Sequence, residues 1–334
     1  MTSPFVRQAG PVSETSQSGL VVVAPGQGAQ TPGMLTAWLE TPGAGAVLTA
    51  LSDASGVDLV KHGTESDADT IRDTAIAQPL LLAAALLSLH ATLVESGRGA
   101  GLQGGAAALG ATLTAGHSIG EFAAAVAAGV LAPEDAARLV GVRGRAMAAA
   151  AAVTPTGMTA VLGGDIDAVT AALRDRGITP ANVNGAGQVV AAGTLDQLAE
   201  LAANPPEGMR LRPLEVAGAF HTQHMAPAVT ELAAAAAKVT ASDAVVPFVS
   251  NADGAVLTDG AAIVERLVAQ VSSPVRWDLC TSTFADRGVA ALIELAPAGV
   301  LTGLAKRALP SVTIVALKSP ADIAAVTELI GATA

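Results

Sequence analysis

The stretch that most constrains this chain is Gly116-His117-Ser118-Ile119-Gly120. An uncharged run with β-branched residues (109–115) leads into it, and the segment Glu121-Phe122-Ala123-Ala124-Ala125-Val126 that follows reads as helix. The order is strand, sharp turn, helix, and G-x-S-x-G in that setting is a nucleophile elbow. Its glycines lack the Cβ atoms that would clash in a tight turn, so Ser118 can be held in a strained conformation and is the candidate nucleophile. The helix starting near Gly120 turns its free N–H groups and positive end toward the same point, which favours negative charge on an attacked carbonyl oxygen. Such a serine suits acyl transfer. A plain Gly-Ser turn before a buried helix has the same local spelling and stands as the alternative.

Composition sets the surroundings of that turn. The chain has 334 residues, 51% hydrophobic and 14% charged, enough for one large domain and a smaller one. Tyr is absent and aromatic residues make up 2%, so the core must be packed from small aliphatic side chains, as helices laid on a sheet allow. A formal charge of −11 argues against general nucleic-acid binding. The single cysteine, Cys280, excludes an internal disulfide and a cysteine-based metal cluster, fits a reducing cytoplasm, and is read as buried and inert. Residues 1–19 are polar, lack an apolar segment and read as a disordered tail, not a secretory signal. Residues 74–94 carry no formal charge, but Gln78, Pro79, Ser88 and His90 interrupt them, so a buried core helix over 77–94 with Pro79 in its first turn is expected rather than a membrane span.

Taken in order, residues 20–24 (Leu-Val-Val-Val-Ala) form a buried parallel strand that runs into Pro25-Gly26-Gln27-Gly28-Ala29-Gln30. The loop has no Lys or Ser/Thr of a nucleotide-binding loop, and the backbone amide of Gln27 is placed to give an oxyanion a second N–H. A helix begins at Pro133-Glu134-Asp135, and at 100° per residue Leu139, Val140, Val142, Ala146 and Met147 share an arc with Arg143 at its centre. A guanidinium on an apolar face needs an anionic or carbonyl partner, so Arg143 is either a buried structural ion pair or a carboxylate receptor.

Residues 158–216 then read as strand, helix, strand, strand, helix, strand, a ferredoxin-like unit inserted in a larger α/β domain, with a cleft between the two as the substrate site. The fold expected is α/β, a hydrolase-like core with a parallel sheet from 20–150 and 217–334, and an inserted small domain over 151–216. Of the five histidines, His117 sits in the strained turn with its ring directed away from the hydroxyl, His90 lies on an apolar helix, and His62 is placed in a polar loop. His221, directly after the inserted unit, is the best candidate base by elimination, with a helix N-terminal histidine that caps nothing as the alternative. Since no Asp or Glu stands in a motif that marks a third triad member, a dyad oriented by a backbone carbonyl is expected.

Several stretches together resemble the malonyl-CoA:acyl carrier protein transacylase family, above all its stand-alone actinobacterial members: residues 25–30, 116–121, Arg143-Gly144 with Met147, 218–221, Gln270 with 274–277, and 297–304. The resemblance runs in order over residues 20–331. It implies that Ser118 takes the malonyl group as an ester, His221 removes its proton, Arg143 pairs with the free carboxylate, and the amides of Gln27 and Ile119 form the oxyanion hole. By the same resemblance the Gln270 carbonyl orients His221, His117 and Phe220 belong to the pocket, and phenylalanine at 220 goes with malonyl over methylmalonyl, although serine there also occurs in malonyl enzymes. It implies no cofactor or metal, malonyl-CoA and acyl carrier protein as partners, no nucleic acid or membrane, and a monomer. Esterases or lipases with a required acid near His221, patatin-like Ser-Asp hydrolases, and a non-catalytic carrier-binding scaffold are the competing classes.

Overall fold

The computed structural model describes residues 19–332. The polar tail read over 1–19 therefore lies outside the described residues except for Gly19, which already begins the first strand. Among the described residues the strands are β1 (Gly19–Ala24), β2 (Leu113–Gly116), β3 (Thr156–Leu162), β4 (Thr179–Gly185), β5 (Gln188–Thr194), β6 (Arg210–Pro213), β7 (Phe248–Val249), β8 (Val256–Leu257), β9 (Val275–Arg276), β10 (Val289–Glu294) and β11 (Thr313–Ala316). They form a six-stranded sheet in the order β11-β10-β1-β2-β7-β8 and a five-stranded sheet in the order β6-β3-β5-β4-β9.

In the larger sheet every pairing is parallel except that of β8, which returns antiparallel to β7. β1 is apolar throughout because both of its faces are covered. Leu20 and Val22 pack into one core with the helices Thr74–Glu95, Gly120–Ala128 and Pro133–Ala151, and Val21 and Val23 into another with Trp277, Phe284 and Leu301. The registers Val23–Ala115 and Ala24–Gly116 bring the carboxyl ends of β1 and β2 level. The glycine-rich loop after β1 and the elbow after β2 therefore leave the sheet side by side, where open α/β sheets place their ligands.

The core helix is longer than its apolar run suggests. It spans Thr74–Glu95 because the Asp73 side chain accepts the Ala75 N–H at 2.8 Å and caps it. Pro79 is thus inside the helix rather than in its first turn. The helix has the length and apolarity to cross a membrane, but it is almost wholly buried within the fold. The arginine helix Pro133–Ala151 crosses it closely: a Cβ on Gly144 would stand 3.0 Å from Thr74 O and 3.1 Å from Ala75 Cα, tighter than ordinary contact. His62 lies in a short helix, Leu59–Thr64, not in a loop.

The second sheet has its own small core of Val161, Val169, Leu173, Val183, Val189 and Leu201 under the helices Ile166–Asp175 and Leu195–Ala203. Its other face, with Met158, Ala181, Val190 and Ala192, joins the main core. The sheet also reaches past the boundary read at residue 216, because β9 pairs parallel with β4 through Asn182–Val275 and Val183–Arg276. β8 and β9 are two residues each, too short for periodicity to reveal.

Candidate active site

Ser118 sits at φ 53°, in the left-handed region that β-carbon-bearing residues avoid. The chain holds it there by packing glycine on glycine. A Cβ on Gly116 would overlap the Gly120 carbonyl group, and one on Gly120 would overlap Ala24 O and come within 2.8 Å of Pro25 O. Asn251, just past the neighbouring strand β7, ties the turn: its Oδ1 accepts the Ser118 N–H at 2.8 Å, and its Nδ2 donates to Gly116 O at 2.6 Å.

His221, at φ 61°, reaches the serine from the far side of the cleft, with Nε2 2.7 Å from Ser118 Oγ. Its Nδ1 lies 2.9 Å from the main-chain oxygen of Gln270. A carbonyl only accepts, so Nδ1 carries the ring proton and Nε2 is left to accept the serine hydroxyl hydrogen. Burial and then the charge of Arg143 push the imidazolium form down to about 3. The sign follows directly: an unfolded histidine takes up its proton near pH 6.5 and this one does not until far lower, so its contribution to stability is lost as pH falls between those values. Histidine-selective 15N NMR should therefore show His221 as the neutral Nδ1–H tautomer from pH 8 to about 5. A midpoint near 6.5 would contradict the burial.

Arg143 is 1% exposed and is held by neutral groups. Nη1 donates to Gln78 Oε1 at 2.6 Å and Nη2 to Gln270 Oε1 at 2.8 Å, with Ser118 Oγ 3.3 Å from Nη2. Its Nε is buried without a protein partner, and the guanidinium carbon lies 5.9 Å from the centre of the Phe122 ring. Among the described residues no carboxylate forms an ion pair with it, so the structural ion-pair alternative lacks a partner. Burial lowers its pKa to about 10, against a pull from the nearby Glu121. Glu121 is itself buried, which pushes its carboxyl up to about 8 against donation from Asn251 N–H and the Gln270 amide and the charge of Arg143.

Ser118, His221, Arg143, Gln78 and His117 line a cavity of about 90 Å³ with Gln27, Ile119, Met147, Met158, Asn182, Leu214 and Phe220, and Glu121, Asn251 and Gln270 are not part of its lining. Among the described residues neither the Gln27 nor the Ile119 backbone N–H has a protein acceptor, as an oxyanion site requires. His117 points to the insert, its Nε2 2.9 Å from Asn184 Oδ1 on β4, so it joins the two sheets and not the proton relay. A wider recess of about 570 Å³ adjoins the cavity through Gln27, Leu214 and Val216 and carries Arg72 and Arg212. Among the described residues no group of three His, Cys, Asp or Glu side chains converges as a metal site would need. Cys280 is fully buried, and burial raises its thiol pKa.

Sequence reasoning did not find Gln78, Glu121, Asn184 or Asn251. Gln78 left one signal, an amide in an otherwise apolar helix, and Glu121 another, an acid directly after the elbow glycine.

Comparison with known proteins finds relatives of the chain as a whole. The acyl transferase domain model matches residues 21–332. The chain is 48% identical to the malonyl CoA-acyl carrier protein transacylase of Mycobacterium tuberculosis over 91% of its length and 98% of that protein's. The crystal structure of the M. tuberculosis protein MCAT superposes with a TM-score of 0.86 at 47% identity, covering 92% of this chain and 99% of that one. A type II PKS acyl-carrier protein in complex with its malonyl-transacylase gives a TM-score of 0.83 at 30% identity, with 93% and 100% covered.

Proposed function

Because the chain belongs to the acyl transferase family, we propose that it moves malonyl from malonyl-CoA to the phosphopantetheine thiol of an acyl carrier protein. The observation that carries this reading is a nucleophilic serine, paired with a neutral histidine, 3.3 Å from a buried guanidinium that has no carboxylate partner among the described residues. Curated relatives that are 48% identical bear that activity in their names. The fold reading that accompanies it is an α/β-hydrolase-like core with a ferredoxin-like insert, supported by the β6-β3-β5-β4 order of the second sheet.

In this mechanism Ser118 Oγ attacks the thioester carbonyl carbon while its proton passes to His221 Nε2. Charge gathers on the carbonyl oxygen, and the N–H groups of Gln27 and Ile119 receive it. The C–S bond breaks, the CoA sulfur takes the proton from His221, and malonyl remains as an ester on Ser118. The carrier's thiol then gives its proton to His221 and attacks the ester carbonyl; the C–O bond breaks, Ser118 Oγ takes the proton back from His221, and malonyl leaves as the carrier's thioester. No resident cofactor enters these steps. Arg143 pairs with the malonyl carboxylate on two sides, which acetyl cannot offer. The recess that adjoins the cavity carries Arg212, and Arg72 paired with Asp69 and Glu215, and is where CoA phosphates or an acidic carrier would approach. The product serves fatty-acid synthesis, polyketide synthesis or both, and the relative solved with a type II polyketide carrier supports including the second.

The test is intact-protein mass spectrometry after brief mixing with malonyl-CoA. The expected result is one malonyl adduct, mapped to Ser118 and discharged when carrier protein is added. Ester hydrolysis with no adduct would replace this reading with that of a hydrolase.

A further inference from the structure

Glu121 is buried beside the elbow, and the transfer steps do not use it. Both of its carboxyl oxygens are engaged, by different segments of the chain. Oε1 accepts the Asn251 main-chain N–H at 2.6 Å, and Oε2 accepts from the Gln270 side-chain amide. Asn251 is the residue that clamps Ser118 N–H and Gly116 O. Gln270 touches the other three groups of the site: Nε2 donates to Ser118 O at 3.0 Å, Oε1 accepts from Arg143, and the main-chain oxygen faces His221.

A glutamine side chain carries a donor end and an acceptor end of nearly equal shape, so its orientation must be imposed by its neighbours. Here the NH2 end lies between two acceptors, Ser118 O and Glu121 Oε2, and the oxygen faces a guanidinium that can only donate. Turning the amide over would set NH2 against NH2. Glu121 also stands one amide away from Arg143 instead of touching it, so it steadies the guanidinium without occupying the face that a ligand would use.

We propose that Glu121 is a positioning residue for acyl selection, acting through Gln270 to hold Arg143 aimed at the substrate carboxylate. This rests on the malonyl-transfer reading above. Asn251 N–H and the Gln270 amide both donate, so Glu121 serves both fully as a carboxylate. Glu121→Gln would present one of them with a donor in place of an acceptor, an effect that should be largest above about pH 8, where the acid is ionised. The Gln270 side chain would lose its imposed orientation, and Arg143 would lose one of its two amide supports.

The experiment compares wild type, Glu121→Gln, Gln270→Ala and the double variant with malonyl-CoA and acetyl-CoA, alongside thermal melts. For Glu121→Gln the expected result is a KM for malonyl-CoA raised about tenfold, kcat changed less than about threefold, and a malonyl-over-acetyl preference reduced in step. In the Gln270→Ala background the same substitution should add less than about twofold, since the effect passes through that amide. A preference unchanged by Glu121→Gln, or losses that simply multiply in the double variant, would overturn the proposal. Should Glu121→Gln fail to fold, Glu121→Asp, which keeps an acid but withdraws both oxygens by one methylene, carries the same comparison. A wild type with no malonyl preference would overturn the malonyl reading and the proposal with it, whereas an intact wild-type preference confines any failure to Glu121.

Discussion

Arg143→Ala should slow malonyl transfer about 10²–10³-fold in kcat/KM while acetyl transfer changes little or rises. Removing one partner from a buried, hydrogen-bonded charge pair costs about 3–4 kcal/mol, and each 1.4 kcal/mol is a factor of ten. The loss falls on the acid-terminated substrate alone, because only that substrate supplies the second charge. The same side chain is costly to the empty protein. Among the described residues no carboxylate touches it: it is buried on Gln78, Gln270 and Ser118 oxygens, so replacing it with a well-filling apolar group removes a desolvation cost that Glu121 offsets only across an intervening amide. Arg143→Met should therefore melt no lower than wild type while losing the same selectivity. Competition between malonyl-CoA and acetyl-CoA, followed by adduct mass, measures the first effect, and a thermal scan the second. An unchanged malonyl preference in either variant would remove Arg143 from carboxylate recognition.

Gly120→Ala should disable the protein by another route. The added methyl would overlap Ala24 O and crowd Pro25 O, backbone atoms at the carboxyl end of a central parallel strand that cannot swing aside as a side chain would. Overpacking of this kind costs about 3 kcal/mol, a fall of roughly 4 °C in melting temperature for a chain of this size, and it displaces Ser118 from His221. Gly303→Ala is the matched control. It lies within the helix Val300–Ala308 with open space where a Cβ would go, so alanine there should raise helix stability by roughly 0.5–1 kcal/mol. If Gly120→Ala keeps wild-type melting and adduct formation, the glycine-on-glycine turn is not what holds the nucleophile.

The sequence could reveal some of these features because their causes are local. The elbow is written within five residues, and the buried face of the arginine helix within one stretch of ordinary helical periodicity. The groups that meet at Arg143 come from elsewhere: Gln78 is 65 positions away and Gln270 is 127. A neutral amide in an apolar segment gives no hint of the fold that brings it to a guanidinium. Asn251 reads as part of a turn and is one, yet its side chain reaches from the end of β7 to Ser118 after the neighbouring β2, 133 positions earlier. The shift of Pro79 into the helix interior has a local cause, the Asp73 cap, which extends the helix upstream of its apolar run.

The strand β9 limits how this molecule can be rebuilt. Chimeras that exchange the segment between the two halves of the larger domain treat it as a cassette with two cut points, yet its sheet is completed by Val275 and Arg276 from the recipient side. The His117–Asn184 bond and the apolar underside with Met158 and Val190 are further seams in the same join. A graft must therefore match three surfaces that the cut points do not mark. Altering the acyl group accepted is better attempted by single changes on the cavity wall than by transplanting the whole segment.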